Sequence, residues 1–126
     1  MSPQDFVIQY AQALRSQSWA AVDPLIHSDA CVTFSNGAAH RGKAAVRVAY
    51  ERNFAAIKNE DYRVSNVHWF LEGPDTAAYL FDFHWTGLVR GALASGAGRG
   101  TALLIKDDGV WRLLAEHLGP KPKSPA

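Results

Sequence analysis

The sequence has little of several features that would point to a particular class of protein. Its one cysteine, Cys31, excludes an internal disulfide and any zinc site built on paired cysteines. Thirteen lysines and arginines against 12 aspartates and glutamates leave a net charge of +1, so no overall field would attract nucleic acid or an anionic membrane. The longest uncharged run, Ala30 to His40, is far shorter than the roughly 20 apolar residues of a membrane-spanning helix.

The opening residues, Met-Ser-Pro-Gln-Asp-Phe, have neither the basic start nor the apolar run of a secretion signal. We therefore expect a cytoplasmic protein without nucleic-acid or membrane partners. The 126 residues suit one domain, and 48% hydrophobic residues supply its core. We expect a single domain over residues 1–118, followed by a proline-rich, disordered tail over residues 119–126. Cys31 is expected to be a small, buried strand residue.

Three helices are predicted from capping signals and apolar spacing. The segment Ser2-Pro3-Gln4-Asp5 is typical of a helix start, and the apolar stripe after it predicts a helix over residues 3–16. Ser18 can begin a second, short helix, whose regularity Pro24 interrupts. Apolar residues at spacings of three and four predict the third helix, over residues 43–58.

The remaining residues predict an antiparallel sheet. The predicted strands cover residues 30–35, 62–72, 76–90, 99–106 and 110–118. Turns are predicted at Asn36-Gly37, Gly73–Asp75 and Asp107–Gly109. The segment 91–98 is predicted to be a flexible hairpin loop, because it is too rich in glycine to hold a regular strand and too short to be a linker.

The two central strands predict a sheet with two chemically different faces. If Glu72 lies opposite Thr76, residues of equal parity share a face. One face then holds Val67, Trp69, Leu71, Tyr79, Phe81, Phe83 and Trp85, and the other holds Asn66, His68, Phe70, Leu80, Asp82 and His84. The aromatic face is where the helices should pack and leave a cavity. The mixed face should meet solvent or a second subunit.

This order of elements resembles the nuclear transport factor 2-like superfamily, in particular its SnoaL-like, ketosteroid isomerase-like and kinase-association-domain-like branch. The most specific match is Gly100 to His117, where a threonine, a strand, an aspartate-glycine turn, a tryptophan, a strand and a histidine follow one another. Weaker matches are Arg41-Gly42, Asp29–Val32 and Asp75–Ala77. The resemblance covers nearly all of residues 3–118.

The resemblance implies a cone-shaped α+β fold, in which three N-terminal helices pack on a strongly curved antiparallel sheet and enclose a pocket. It also implies a second subunit on the outer sheet face. Enzymes of this superfamily use pocket carboxylates, or a tyrosine and an aspartate, to move a proton next to a carbonyl. The fold alone names no reaction, because it also serves domains that only assemble.

Two residues are candidates for catalysis in such a pocket, Glu116 and Tyr10. The alternative for Glu116 is a carboxylate at the pocket rim, paired with Arg112 or Arg99. Residues expected to bind the ligand are Phe34, Trp69, Tyr79, Phe81, Phe83, Trp85 and Leu114. The arginines of the association-domain branch correspond here to Phe83, Ala102 and Leu118. That difference favours an apolar or ring-shaped ligand.

Other chemistry is possible on the mixed face. Asp82 and His84 could share a hydrogen bond, although a polar cluster at a subunit interface explains them better. His68, His84 and His117 lie on three strands and could in principle bind a metal, but isolated strand histidines are usually structural. We therefore expect neither a metal nor another cofactor.

Two functions remain as hypotheses. The first is a homodimeric small-molecule-binding domain, whose catalysis would be cofactor-independent proton transfer. The second is a non-catalytic association domain. A homodimer through the outer sheet face is expected from apolar residues assigned to that face, namely Thr101, Leu103, Ile105, Trp111, Leu113 and His117.

Overall fold

The computed structural model describes residues 1–122 and has an α+β fold, with helices packed on one face of a curved six-stranded sheet. In chain order the elements are α1 (Pro3–Ser16), α2 (Trp19–Val22), a 3₁₀ turn (Asp23–Leu25), β1 (Ile26–Thr33), β2 (Ala39–Arg41), α3 (Lys43–Ala56), β3 (Lys58–Glu72), β4 (Thr76–Val89), β5 (Ala92–Asp107) and β6 (Val110–Gly119). The predicted fold class is confirmed. Across residues 1–122, no helix has the length and apolar character needed to cross a membrane.

Helix α1 begins where the capping signal predicted. The Ser2 hydroxyl accepts a hydrogen bond from the Asp5 backbone N–H at 3.1 Å, and the Asp5 carboxylate accepts one from the Ser2 N–H at 2.9 Å. Together these bonds satisfy two backbone donors that the first turn leaves free. The helix buries Phe6 and Tyr10 on the face that packs toward the sheet. The phenol of Tyr10 therefore points into the interior.

The sheet has the strand order β2-β1-β6-β5-β4-β3. The pairs among β3, β4, β5 and β6 are antiparallel, as expected, but β1 and β6 run parallel. After β1 the chain crosses through β2 and α3 to the far edge of the sheet, and three hairpins then bring β6 back beside β1. This return places Glu116 of β6 directly beside Val32 of β1.

Strand β3 does not keep one register along its length. The predicted pairing holds at Trp69 and Tyr79, but the register shifts between Ser65 and His68 and again between Trp69 and Leu71. Val67 and Leu71, predicted on the inner face, are therefore 37% and 43% exposed. Such bulges bend a strand and increase its twist, and they contribute to the curvature of this sheet.

The prediction of a flexible loop over residues 91–98 is wrong. Arg90 and Gly91 both have positive φ, 51° and 78°, and form a tight two-residue turn after which β5 begins at Ala92. The later glycines of the segment pair with aromatic residues, so that Gly96 lies opposite Trp85 and Gly98 opposite Phe83.

The glycines of β5 provide space for these rings. A Cβ atom added to Gly98 would lie 2.5 Å from the Phe83 ring, and Gly96 and Gly100 are similarly covered by Trp85 and Phe81. Because these three glycines have no side chains, the aromatic rings of β4 can lie flat across β5.

The last hairpin also differs from the prediction. Its turn has two residues, Asp108 and Gly109, which both have positive φ, and not three. Trp111 and Leu113 consequently face inward and are buried, which corrects their assignment to the outer face. A bulge then follows, since Leu104 pairs with Leu113 but Leu103 pairs with Ala115.

This bulge decides which residues of β6 reach the interior. The bulge adds one residue after Leu113, so the next side chain of β6 that points inward is that of Glu116, which is buried. Leu114 lies within the bulge, is half-buried and is not among the residues that line the cavity described below, which differs from its predicted place in the pocket wall. The cause is the extra residue that the bulge inserts into β6 opposite β5.

Two smaller expectations are also corrected. Cys31 is exposed, because its neighbours Ala30 and Val32 take the inward positions of β1. Gly119, expected to begin the tail, is the last residue of β6, and Lys121 contacts Asp82 at 3.3 Å. The last four residues of the predicted tail, 123–126, lie outside the described residues. The domain boundary at residue 118 stays a prediction.

Candidate functional site

A cavity of about 260 Å³ lies between helices α1 and α3 and the concave face of the sheet. It is lined by Leu14, Phe34, Ser35, Asn36, Tyr50, Asn53, Phe54, Ile57, Glu60, Tyr62, Phe83, Trp85, Glu116 and Leu118. Its volume equals that of about nine molecules of liquid water, which suits a small ring-shaped compound.

Apart from Leu114, the structure places the predicted ligand-binding residues in two different environments. Phe34, Phe83 and Trp85 line the cavity. Tyr79, Phe81 and Trp69 do not line it and instead pack in the hydrophobic core, where the centroids of Trp69 and Tyr79 are 4.7 Å apart and those of Tyr79 and Phe81 are 5.4 Å apart. They lie farther along the same strands, where α1 covers the sheet and fills the space.

Glu116 lies in the cavity wall and is 5% exposed. Strand β6 holds it between Val32 of β1 and Ala102 of β5. Burial raises the pKa of its carboxyl group to about 8, because the charged form loses its hydration there. A carboxyl group with this pKa exchanges a proton at close to neutral pH.

The alternative of a rim carboxylate paired with an arginine is not observed. Arg112 donates a hydrogen bond to the Pro24 carbonyl and lies 3.7 Å from Asp107. Arg99 contacts Asp82 on the other face of the sheet. Among the described residues, no side chain forms an ion pair with Glu116, so desolvation acts on its carboxyl group without an opposing charge.

Four tyrosines lie within electrostatic reach of Glu116. Tyr50 lines the cavity from α3, and its hydroxyl is hydrogen-bonded to the hydroxyl of Tyr10 on α1. Burial raises the pKa of both phenols well above the usual value, and the charge of Glu116 raises each further. The pKa of Tyr62 and that of Tyr79 are raised by the same two causes, burial first. These hydroxyls therefore stay protonated and can donate hydrogen bonds.

Tyr10 itself does not line the cavity. It reaches the cavity only through Tyr50, and the two hydroxyls form a continuous link from the core to the wall. The structure thus brings Glu116 and the Tyr10–Tyr50 pair close enough for their charges to interact, although α1, α3 and β6 are distant in sequence.

A second carboxylate in the wall, Glu60, was not predicted. Strand β3 begins at Lys58, four residues earlier than expected, and Glu60 is half-buried in the cavity. Burial raises the pKa of its carboxyl group to about 7. A signal was present, because Glu60, Tyr62 and Val64 follow the two-residue period of a strand face. The charged residues around Glu60 are untypical of a strand, so the sequence analysis began this strand only at Tyr62.

The rest of the wall adds small polar groups. Ser35 and Asn36 come from the turn after β1, and Asn53 comes from α3. None of the described residues in the wall is a lysine, arginine or histidine. The cavity therefore combines aromatic surfaces with two acids, two phenols and neutral hydrogen-bonding groups.

The outer sheet face carries a separate polar cluster centred on Asp82. Its carboxylate accepts hydrogen bonds from Asn66 at 2.8 Å and Arg99 at 2.9 Å, and Lys121 lies 3.3 Å away. The hydrogen bond from Asn66 has the largest effect and the one from Arg99 the next largest, and together they lower the pKa of Asp82 to about 2. The proposed Asp82–His84 hydrogen bond is thus replaced by these partners.

The structure does not bring His68, His84 and His117 together in one site. His68 and His117 line a shallow groove on the outer face, whereas His84 does not. Within residues 1–122, no group of three or more histidine, cysteine, aspartate or glutamate side chains could hold a metal ion.

Comparisons with known proteins agree with this architecture. A model of the SnoaL-like domain matches residues 4–120, and no curated protein matches the sequence. A nuclear transport factor 2-like superfamily protein from Salmonella enterica is 16% identical, with a TM-score of 0.83 and coverage of 95% of this chain and 89% of that chain.

Two further solved structures differ in the functions their names suggest. A provisionally named scytalone dehydratase from Novosphingobium aromaticivorans is 14% identical and has a TM-score of 0.84. The match covers 99% of this chain and 93% of that chain. The other is a provisionally named calcium/calmodulin-dependent protein kinase type II association domain from Thiobacillus denitrificans. It is 17% identical and has a TM-score of 0.82, and the match covers 96% of each chain. At these identities the likeness shows a shared fold and no shared reaction.

Proposed function

The chain belongs to the SnoaL-like domain family of the nuclear transport factor 2-like superfamily, and on that premise we propose that it binds a small ring-shaped molecule in its cavity and moves a proton on it through Glu116. The observation that carries the proposal is the burial of Glu116 in the cavity wall, where its pKa is about 8. A general acid or base works best when its pKa is close to the working pH.

The reaction that suits these groups is proton transfer next to a carbonyl. The Glu116 carboxylate would take a proton from the carbon beside the carbonyl, and the electron pair of the broken C–H bond would move to the carbonyl oxygen. The Tyr50 hydroxyl would donate a hydrogen bond to the resulting enolate oxygen. Return of the proton to another carbon gives an isomer. If the next carbon carries a hydroxyl group, the electron pair of the enolate forms a C=C bond as that group leaves, and the proton held by Glu116 converts it to water; neither outcome changes the oxidation state of the molecule as a whole.

Tyr10 has a supporting role in this proposal. Its hydroxyl is hydrogen-bonded to Tyr50 from behind the wall, so it can position the Tyr50 hydroxyl without contacting the ligand. We therefore assign Tyr10 as a positioning residue and Glu116 as the catalytic residue. Phe34, Phe83 and Trp85 would form the apolar surface against which the ring of the ligand packs.

The test uses 2-indanone, a ring-shaped ketone of suitable size, in heavy water. The protein should accelerate exchange of the hydrogens beside the carbonyl, which proton NMR follows directly, and the rate should rise with pH through about 8 as Glu116 ionises. Glu116→Gln should lower the exchange rate by about 100-fold or more, because an amide cannot take the proton.

Glu51→Gln is the matched control, since Glu51 is exposed on α3, outside the cavity wall, and pairs with Arg47. Equal exchange rates for the parent protein and Glu116→Gln would contradict proton transfer by Glu116. If 2-indanone nevertheless binds, as judged by the fluorescence of the tryptophans, only the binding function would remain.

A second candidate function is assembly through the outer sheet face. Leu80 is 45% exposed there, beside Thr101 and His117 in the shallow groove. Exposed apolar surface of this kind marks contact sites between proteins. We propose a homodimer through this face, with Leu103 and Ile105 contributing and without the buried Trp111 and Leu113. Light scattering at twice the chain mass of 13.8 kDa would support the homodimer, and a monomer would overturn it.

A further inference from the structure

We infer that the cavity is built for an organic ammonium ion with an apolar body, such as an arylalkyl amine, and that it rejects anionic ligands. The inference rests on the proposed function, because it specifies the charge of the small molecule that the cavity binds. It follows from two features of the wall, its charges and its rings.

The charges of the wall have one sign only. Glu60 and Glu116 are its two ionisable acids, and none of the described wall residues is cationic. Two basic side chains outside the wall have other contacts. Arg15 donates a hydrogen bond to the Tyr62 backbone carbonyl at 2.8 Å, and the His40 ring packs against Phe34, with centroids 5.2 Å apart. An anionic ligand would meet two acids and no counter-charge.

The rings of the wall form two aromatic surfaces. On the helix side, Phe34 and Tyr50 are stacked with centroids 5.7 Å apart and an interplanar angle of 9°, and Phe54 lies beside Tyr50. On the sheet side, Tyr62 and Phe83 are stacked with centroids 6.2 Å apart. Aromatic faces attract a cation placed against them, and desolvation strengthens this attraction.

Rings and carboxylates together make the wall suitable for an ammonium group. The aromatic faces would hold the apolar body of the amine and contact its charge, while a carboxylate of the wall, that of Glu60 or that of Glu116, would accept its N–H hydrogen bonds. Tyr62 is within electrostatic reach of both acids, since the charges of Glu116 and Glu60 each raise its pKa. Both acids are therefore within electrostatic reach of one part of the cavity.

A bound cation would also change the protonation of the wall. Burial without a counter-ion holds the pKa of Glu116 at about 8 and that of Glu60 at about 7. An ammonium ion supplies the missing counter-charge, lowers both pKa values and causes the release of protons to the solvent. A neutral ligand of the same shape would release none.

The experiment compares three probes of nearly equal size: benzylamine, benzyl alcohol and benzoate. Isothermal titration calorimetry near pH 8, in two buffers of different ionisation enthalpy, measures both affinity and proton release. Benzylamine should bind about tenfold more tightly than benzyl alcohol, and only benzylamine should give a buffer-dependent enthalpy from released protons. Benzoate should bind most weakly.

Substitution assigns the preference to the wall. Glu60→Gln and Glu116→Gln should each lower the benzylamine to benzyl alcohol affinity ratio by about fivefold, whereas Glu51→Gln, which removes a carboxyl group outside the cavity wall, should leave it unchanged. Thermal melting of each variant shows that it is folded.

Each outcome decides between the two proposals. If benzyl alcohol binds and benzylamine binds no tighter, the ammonium inference is overturned and the proposed ligand-binding function stands. The inference is also overturned if benzoate binds as well as benzylamine, or if neither glutamine variant changes the ratio. If none of the three probes binds, the cavity does not bind small ring compounds and the proposed function falls as well.

Discussion

Raising the pH should destabilise the folded protein, and Glu116 should supply most of the effect. Burial raises the pKa of Glu116 from its ordinary value of 4.5 to about 8. The folded state therefore holds this proton more tightly than the unfolded state does. The resulting stabilisation is complete below about pH 4.5 and is lost as the pH rises through about 8, after which it no longer changes.

The magnitude follows from the two pKa values. The difference between 4.5 and about 8 corresponds to about 5 kcal/mol as an upper limit, at about 1.4 kcal/mol for each pH unit. Between about pH 5 and about pH 9, the free energy of unfolding should fall by about 4 kcal/mol on account of Glu116. Glu60 acts in the same direction but contributes less, because its pKa is lower and its side chain is partly solvated. Such a loss is a large share of the stability of a typical domain.

Urea unfolding followed by tryptophan fluorescence at a series of pH values measures this dependence. The parent protein and the Glu51→Gln control should lose stability in parallel as the pH rises. Glu116→Gln should flatten the profile by about 4 kcal/mol and should be more stable than the parent above about pH 8. Parallel profiles for the parent and Glu116→Gln would refute the assignment of a buried, uncompensated carboxyl group to Glu116.

Three further predictions concern the sheet. Gly98→Val should lower the free energy of unfolding by about 1 to 3 kcal/mol, because the new Cβ would lie 2.5 Å from the Phe83 ring. Gly119→Ala should have little effect, because open space surrounds its new Cβ. Thermal melting of the two variants and the parent protein measures the difference. The protein should lose stability as the pH falls from about 4 toward 2, because the pKa of Asp82 is lowered, and Asp82→Asn should remove that part of the acid dependence in chemical unfolding. Leu80→Arg should convert the proposed homodimer to a monomer in light scattering, and an unchanged mass would place the interface elsewhere.

The elements with strong local signals were predictable. The capping box at Ser2 and Asp5 places the start of α1 correctly because its hydrogen bonds are local to four residues. Aspartate-glycine at residues 108–109 predicts the last turn for the same reason, although its length is two residues and not three. The alternation of Tyr79, Phe81 and Phe83 also holds, and these residues are buried on one face of β4.

The glycine-rich segment shows why local composition can mislead. The segment that contains Gly96, Gly98 and Gly100 has a composition typical of a loop, yet each of these glycines lies in β5 opposite an aromatic residue of β4. Their role is decided by the strand beside them, because the rings need the space that a side chain would fill. Intrinsic propensity carries no information about a partner strand.

The candidate site depends on features that the sequence does not show. Glu116 reaches the interior only because a bulge in β6 follows the inward-facing Trp111 and Leu113. Glu60 joins it because β3 begins earlier than its charged residues suggest. Bulges and strand ends are decided by pairing with neighbouring strands, so the parity of a position does not predict its face.

By itself, the sequence determined the family resemblance, the α+β class and the presence of an aromatic inner face, since hydrophobic period and turn residues act within a few positions of the chain. The tertiary structure alone decided which aromatics fill the core and which line the cavity. It also decided that no cation of residues 1–122 pairs with Glu116, because Arg99 and Arg112 contact Asp82 and Asp107 instead. Burial of a charge depends on the whole fold around it, and the proton chemistry proposed for this protein therefore arises from the tertiary structure.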